Sequence, residues 1–294
     1  MEQTAVLAAL LIAILGFLAP ATQQLFQTAL HRTPASIFCA PLFFTAIFGG
    51  AAELVHVRSL PLTLLVFGYT AAPVLCAYVQ RPGPAARPSA LDFLTILILW
   101  LPLEFAAGAS LIPRHAQGFL HSVAYGIAIL LALVLFIGFR SLPGLKFNVS
   151  HRARDYWLPI AAFVITAPVL ALIGVAIGFI PPPHAPVQSA GRMTSAIAII
   201  FAGTALPEEI LFRSLIQNLL VLRFGASTRT LLIAAFIFGC AHLDNGPQPL
   251  PNWRYMILAT IAGIAYGIVF RRASTVLSSA TLHMLVDWTK HFFF

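Results

Sequence analysis

The chain is a succession of uncharged apolar runs, most of them about the ~20 residues a helix needs to cross the hydrocarbon core of a bilayer. About ten such segments can be marked, at residues 4–22, 36–54, 60–79, 90–112, 118–139, 157–180, 194–222, 228–243, 254–270 and 273–289. Short connectors rich in Pro, Gly and Arg separate them. Membrane-spanning β-strands are ~10-residue stretches of alternating polarity, and these runs are too long and too uniformly apolar for that pattern. The expectation is an all-α fold, a polytopic transmembrane helical bundle of about 8–10 spans. Composition agrees: 60% of the residues are apolar and 9% charged, against roughly 25% charged in a soluble domain. A water-soluble globule is excluded.

The net charge of +8 does not point to nucleic acid. The basic residues stand singly or in pairs between apolar runs and form no stripe, as topogenic charges beside lipid headgroups do. Odd-numbered connectors hold Arg32, Arg81, Arg87, Arg140, Lys146, Arg152, Arg154, Arg223, Arg229, Arg271 and Arg272. Even-numbered connectors and the C-terminal tail hold only Arg58, Arg114, Arg192, Arg254 and Lys290. Since the richer set faces the cytoplasm, both termini are expected outside. Cys39, Cys76 and Cys240 share no metal-type spacing and read as small apolar side chains.

The Pro-rich connector 181–193 cannot continue a helix and divides the chain. Residues 1–180 form N-terminal transmembrane helices of unassigned role, and residues 194–294 hold nearly all the polar groups that lie inside spans. With nine Asp and Glu in the chain, each can be judged separately. Glu2, Asp155 and Asp244 fall in tails or loops, Glu53 at a span end, and Asp92 at a helix start, where an acid is favoured. Glu104 lies deeper, beside Pro102. Glu208, Glu209 and Asp287 interrupt apolar helices outright. A charge at mid-bilayer costs at least ~2.5–3.5 kcal/mol, so such residues normally face a cavity and carry function. His242 and His283 lie in apolar segments too, while the other histidines fall in loops, in the tail or at a span start.

Helical spacing separates their roles. Glu209 and Arg213 are four residues apart with the acid first, the favourable order for an ion pair on one face. Glu208 is turned ~100° away and must point at another helix or at water. His283 and Asp287, also four apart, project together from the last span, and Pro207 frees backbone groups beside the glutamates. A glutamate shielded from bulk solvent can take a proton from water, and one histidine can orient that water or protonate a leaving amine. A second histidine can donate to the oxyanion of a tetrahedral intermediate. This is chemistry for hydrolysing an acyl bond, most economically a peptide bond.

Glu208-Glu209-x-x-x-Arg213, Phe238-x-x-x-His242 and His283-x-x-x-Asp287 resemble the three motifs of the CPBP family, the CAAX prenyl endopeptidase and bacteriocin-processing (Abi) intramembrane proteases. The resemblance covers roughly residues 190–294. It implies an intramembrane endopeptidase acting on membrane-associated or lipid-modified proteins, with catalytic residues Glu208, Glu209, Arg213, His242, His283 and Asp287. Glu208 would activate water with His242 as its partner, and His283 with residue 287 would stabilise the oxyanion. It also implies an integral protein of the plasma membrane of a bacterium, with membrane lipids and a membrane-associated protein or peptide as partners.

Family members that cleave CAAX proteins typically carry Asn where this chain has Asp287. Ionised Asp accepts hydrogen bonds and cannot donate to an oxyanion, so Asp287 is either protonated, an orienting group for His283, or a metal ligand. No cofactor is required with glutamate as base, yet Glu208, His242, His283 and Asp287 would also make a zinc site with an open position for water. Two other functions fit the same residues: a non-catalytic immunity or partner-binding protein of this fold, and a proton-coupled transporter. The absence of internal repeats disfavours the transporter.

Overall fold

The computed structural model describes residues 2–57, 59–83, 87–246 and 248–294. Arg58 and residues 84–86 of the third connector lie outside the described residues. Among those described the chain is helical without strands, and it divides into two compact units, Met1–Pro143 and Gly144–Phe294.

The first unit holds α1 (Glu2–Gly16), α2 (Pro20–Arg32), α3 (Cys39–Leu54), α4 (Leu60–Val79), α5 (Ala90–Glu104) and α6 (Arg114–Leu133), the last running into a π-helical turn at Val134–Phe139. The run at 4–22 does not form one straight span. α1 ends at Gly16, Pro20 starts α2, and the two helices meet at 84°. The polar side chains of α2 explain its course: Gln27 Nε2 donates to the Ile137 carbonyl (3.0 Å), and His31 Nε2 lies 3.0 Å from the Phe139 carbonyl oxygen. Both carbonyls belong to the π-helical turn.

α5 opens on a capping box in which the Ser89 side chain and the Asp92 carboxylate satisfy each other's backbone N–H groups. Asp92 also pairs with Arg140, Nε to Oδ1 at 3.0 Å, and both are buried. At the far end of α5, Trp100 Nε1 donates to Glu104 Oε2 (2.7 Å).

The second unit holds α7 (Ala153–Ala176), α8 (Ala190–Ile200), α9 (Leu206–Glu209), α10 (Asn218–Phe224), α11 (Thr228–Cys240), α12 (Trp253–Arg272) and α13 (Leu277–Phe293). α12 packs on α7, α11 and α13. Its approach to α11 depends on small residues. A Cβ on Gly239 would lie 2.7 Å from the Met256 carbonyl oxygen, and one on Gly263 would lie 3.3 Å from Ala235 Cα. Such contacts bring membrane helices together in the absence of a hydrophobic drive between them.

The α12–α13 junction is fixed by the segment before α7. Lys146 Nζ donates to the carbonyls of Phe270 (2.7 Å) and Ala273 (2.8 Å), capping the C-terminal end of α12. Burial holds the Lys146 pKa below its ordinary value. Asp155 accepts from the hydroxyls of Ser150 and Ser274 and from the Ser274 amide (3.1 Å). The start of α13 is thereby held in place. Further along, Trp288 Nε1 donates to the Met193 carbonyl (2.8 Å).

Among the described residues six helices are long and apolar enough to cross a membrane: Pro34–Leu54, Leu60–Val79, Arg114–Phe139, Ala153–Ala176, Ala190–Phe224 and Trp253–Arg272; the bent α1–α2 pair would make a seventh. The eight to ten spans expected from hydropathy are more than this. Apolar segments 90–112, 228–243 and 273–289 form helices of 15, 13 and 17 residues, shorter than the ~20 that a span needs.

Candidate active site

α8, α9 and α10 are parts of one 35-residue helix, Ala190–Phe224, interrupted by two π-helical segments at Phe201–Ala205 and Ile210–Gln217. The glutamate pair lies on the single α-turn between them, Leu206–Glu209. Here the backbone bonds skip a residue: the Leu206 amide donates to the Phe201 carbonyl, and the Asn218 amide to that of Arg213. The wider turns carry the helix through Pro207, which has no N–H to give. Such π-bulges occur frequently at functional sites.

Glu209 and Arg213 form the ion pair their spacing implies. Arg213 Nε lies 3.2 Å from Glu209 Oε2, and both side chains have zero exposure. The guanidinium sits 4.9 Å from the centre of the Phe238 ring and donates through Nη1 to Gln217 (3.5 Å), whose amide reaches the Gly267 carbonyl (3.1 Å). Burying either charge alone would cost several kcal/mol, so Arg213 is what makes Glu209 tolerable at this depth. Glu209 Oε1 in turn lies 3.3 Å from His283 Nδ1.

The other ring nitrogen of His283 faces two more carboxylates, Asp287 Oδ2 at 3.4 Å and Glu208 Oε2 at 3.9 Å. Tyr266 stacks on the imidazole with centroids 4.6 Å apart. His242 lies two residues beyond α11, in a turn and not within the helix. Its Nδ1 donates to the Phe238 carbonyl (2.8 Å), which leaves Nε2 as the nitrogen able to accept a proton. The rings of Phe238 and Tyr255 flank it at 4.8 and 4.6 Å.

These groups meet at a cavity of about 100 Å³. Glu208, His242, His283 and Asp287 line it, while Glu209 and Arg213 stand behind. The remaining wall is largely apolar and includes Leu170, Leu258, Ala262 and Val286. Among the liners that the sequence does not single out are Tyr255, Tyr266 and Lys290. Their signal was helical phase. Tyr255, Ala259, Ala262 and Tyr266 form one stripe of α12, and Lys290 follows His283 and Asp287 at the i, i+4, i+7 positions of α13.

Zinc is the metal that the donor types leave open, and the arrangement does not fit it. Among the described residues no group of three or more His, Cys, Asp or Glu side chains is placed to hold an ion. His283 turns both nitrogens to carboxylates, Glu209 on Nδ1 and Asp287 on Nε2, which leaves neither directed at an ion.

Residues 191–289 match the family model described as Rce1-like, type II CAAX prenyl endopeptidase. The chain thus carries, over roughly a third of its length, the domain of a CPBP-family intramembrane protease, as its three motifs indicated. The matched stretch contains all six of the residues named above. With its apolar helices, the chain is an integral membrane protein that carries an Rce1-like, type II CAAX prenyl endopeptidase domain at residues 191–289. No curated protein matches the chain, and no solved structure does.

Proposed function

We propose that the protein hydrolyses peptide bonds of membrane-associated or lipid-modified proteins, with Glu208 as the base that activates water. The observation that carries this reading is the convergence of Glu208, His242, His283 and Asp287 on one cavity within a helical bundle. Glu208 is the carboxylate suited to meet water there, since its side chain is 23% exposed whereas that of Glu209 is sealed. In the proposed reaction Glu208 takes a proton from water as the oxygen attacks the scissile carbonyl. His283 donates from Nε2 to the oxyanion that forms, held in orientation by Glu209 on its opposite nitrogen. His242, with Nδ1 committed to Phe238, uses Nε2 to accept a hydrogen bond from the water or to relay the proton that Glu208 has taken from it to the leaving amine. Asp287 faces the same Nε2 at 3.4 Å and holds its proton in the resting site, giving it up to the oxyanion as the intermediate forms, a role that needs only an acceptor.

In this reading the catalytic helices lie within residues 194–294 and the 181–193 connector precedes them. The membrane is the plasma membrane of a bacterium; placing both termini outside rests on counting ten spans. The test is cleavage of a membrane-embedded peptide library by purified protein, wild type against Glu208→Ala. Loss of cleavage in a folded mutant is expected; wild-type rates in the mutant would overturn the mechanism.

A further inference from the structure

Lys290 has the position of a tail residue in the sequence and the surroundings of a binding group in the fold. It projects from α13 one turn beyond Asp287 and lines the same cavity as Glu208 and His242. Its ammonium lies 4.4 Å from the centre of the Tyr255 ring and 5.0 Å from that of Phe179, two rings that pack on each other at 4.9 Å. Rings can hold a cation in place, yet they do not neutralise it. Among the described residues Lys290 is in no salt bridge and makes no hydrogen bond to the protein.

Arg213, the other strong cation of the site, is committed to Glu209 and Gln217 and stands behind the wall. Lys290 is therefore the one Lys or Arg among the described residues lining the cavity. His242 and His283 also line the cavity, but the proposed reaction commits them to the water and the oxyanion; of the other liners, Glu208 and Asp287 repel an anion, and Leu258, Ala259, Ala262 and Val286 offer it nothing. We infer that Lys290 is the subsite for a carboxylate on the peptide substrate, holding it at the Tyr255–Phe179 end of the cavity and so fixing which peptide bond lies over Glu208. This rests on the endopeptidase reading. The chemistry is that of a carboxylate, supplied either by the end of the substrate chain or by an acidic side chain.

The test uses the full-length protein and an apolar, fluorophore-labelled peptide made in three forms: free C-terminal acid, C-terminal amide, and amide with one internal Glu. Cleavage is measured for wild type, Lys290→Gln and Lys290→Arg. Binding of the same peptides is measured on Glu208→Gln and on the Glu208→Gln/Lys290→Gln double variant. For at least one carboxylate form, KM about ten-fold or more below that of the plain amide is expected. The preference should vanish in Lys290→Gln and survive in Lys290→Arg, with the plain amide losing far less than the preferred carboxylate form in Lys290→Gln; whichever carboxylate form is preferred identifies the source. Equal handling of all three forms by wild type, or an equal loss on all three in Lys290→Gln, would overturn the subsite and leave the endopeptidase standing. Carboxylate-selective binding that depends on Lys290, without cleavage by wild type, would keep the subsite and overturn the endopeptidase. Binding of none of the peptides would overturn the subsite.

Discussion

His283 sets Nδ1 3.3 Å from Glu209 Oε1, so the glutamate that is sealed from solvent is bound to the histidine that faces the cavity. Glu209 thus joins two tasks: it neutralises Arg213 on one oxygen and aligns His283 on the other. Glu209→Leu should destabilise the protein by about 3–5 kcal/mol, because it strands a buried guanidinium. Glu209→Leu/Arg213→Met should recover most of that stability while hydrolysis stays impaired, His283 having lost its alignment. Thermal unfolding in detergent and initial rates on one peptide would separate the two tasks.

Glu208 should behave in the opposite way. Its side chain lines the cavity and is partly exposed, where that of Glu209 is sealed. Glu208→Gln is expected to lower the cleavage rate by about 10²–10⁴-fold, the usual worth of a general base. The unfolding midpoint should move little. A large loss of stability with modest loss of rate would assign Glu208 a structural part instead.

The α11–α12 contact admits no side chain at Gly239. A Cβ there would crowd the Met256 carbonyl at 2.7 Å as well as the Thr260 hydroxyl. Gly239→Val should cost about 1–3 kcal/mol or more through overpacking. Because His242 follows three residues on, activity should fall with it even at temperatures where the protein remains folded. Circular dichroism melts and rates at low temperature would show both effects.

In the first unit Asp92 and Arg140 are buried together at 3.0 Å. Removing the acid leaves Arg140 uncompensated and also undoes the capping box of α5. Asp92→Ala should therefore destabilise by about 3–5 kcal/mol, with the cap adding about 1 kcal/mol. Asp92→Asn, which keeps a cap acceptor, should lose less. Chemical denaturation of the two variants side by side tests the order.

Hydropathy made the helical class plain, and the rarity of charge in residues 194–294 picked out the lining groups. An i, i+4 spacing was enough to pair Glu209 with Arg213 and His283 with Asp287. What stayed hidden depends on contacts between distant residues. Arg140 and Lys146 read as connector cations beside headgroups, yet one is buried on Asp92 and the other caps α12. Asp155 read as a loop acid and is a buried anchor for Ser150 and Ser274. Lys290 was grouped with the tail because its ring partners come from α12 and the segment after α7. The break at Gly16–Pro20 was missed since hydropathy averages over a helix and does not sense direction.

The two π-helical segments around the glutamates carry a consequence for how the site can change. A π-turn is the trace of one residue more than an α-helix would use. Deleting a single residue from Phe201–Ala205 would let that turn close as α and rotate everything before it by ~100° relative to Glu208. Thr204 lines the cavity from this segment, so its aim would change with the phase. The aim of the glutamates is therefore written partly in chain length, and an insertion or deletion could disarm the site while every candidate catalytic side chain stays in the sequence.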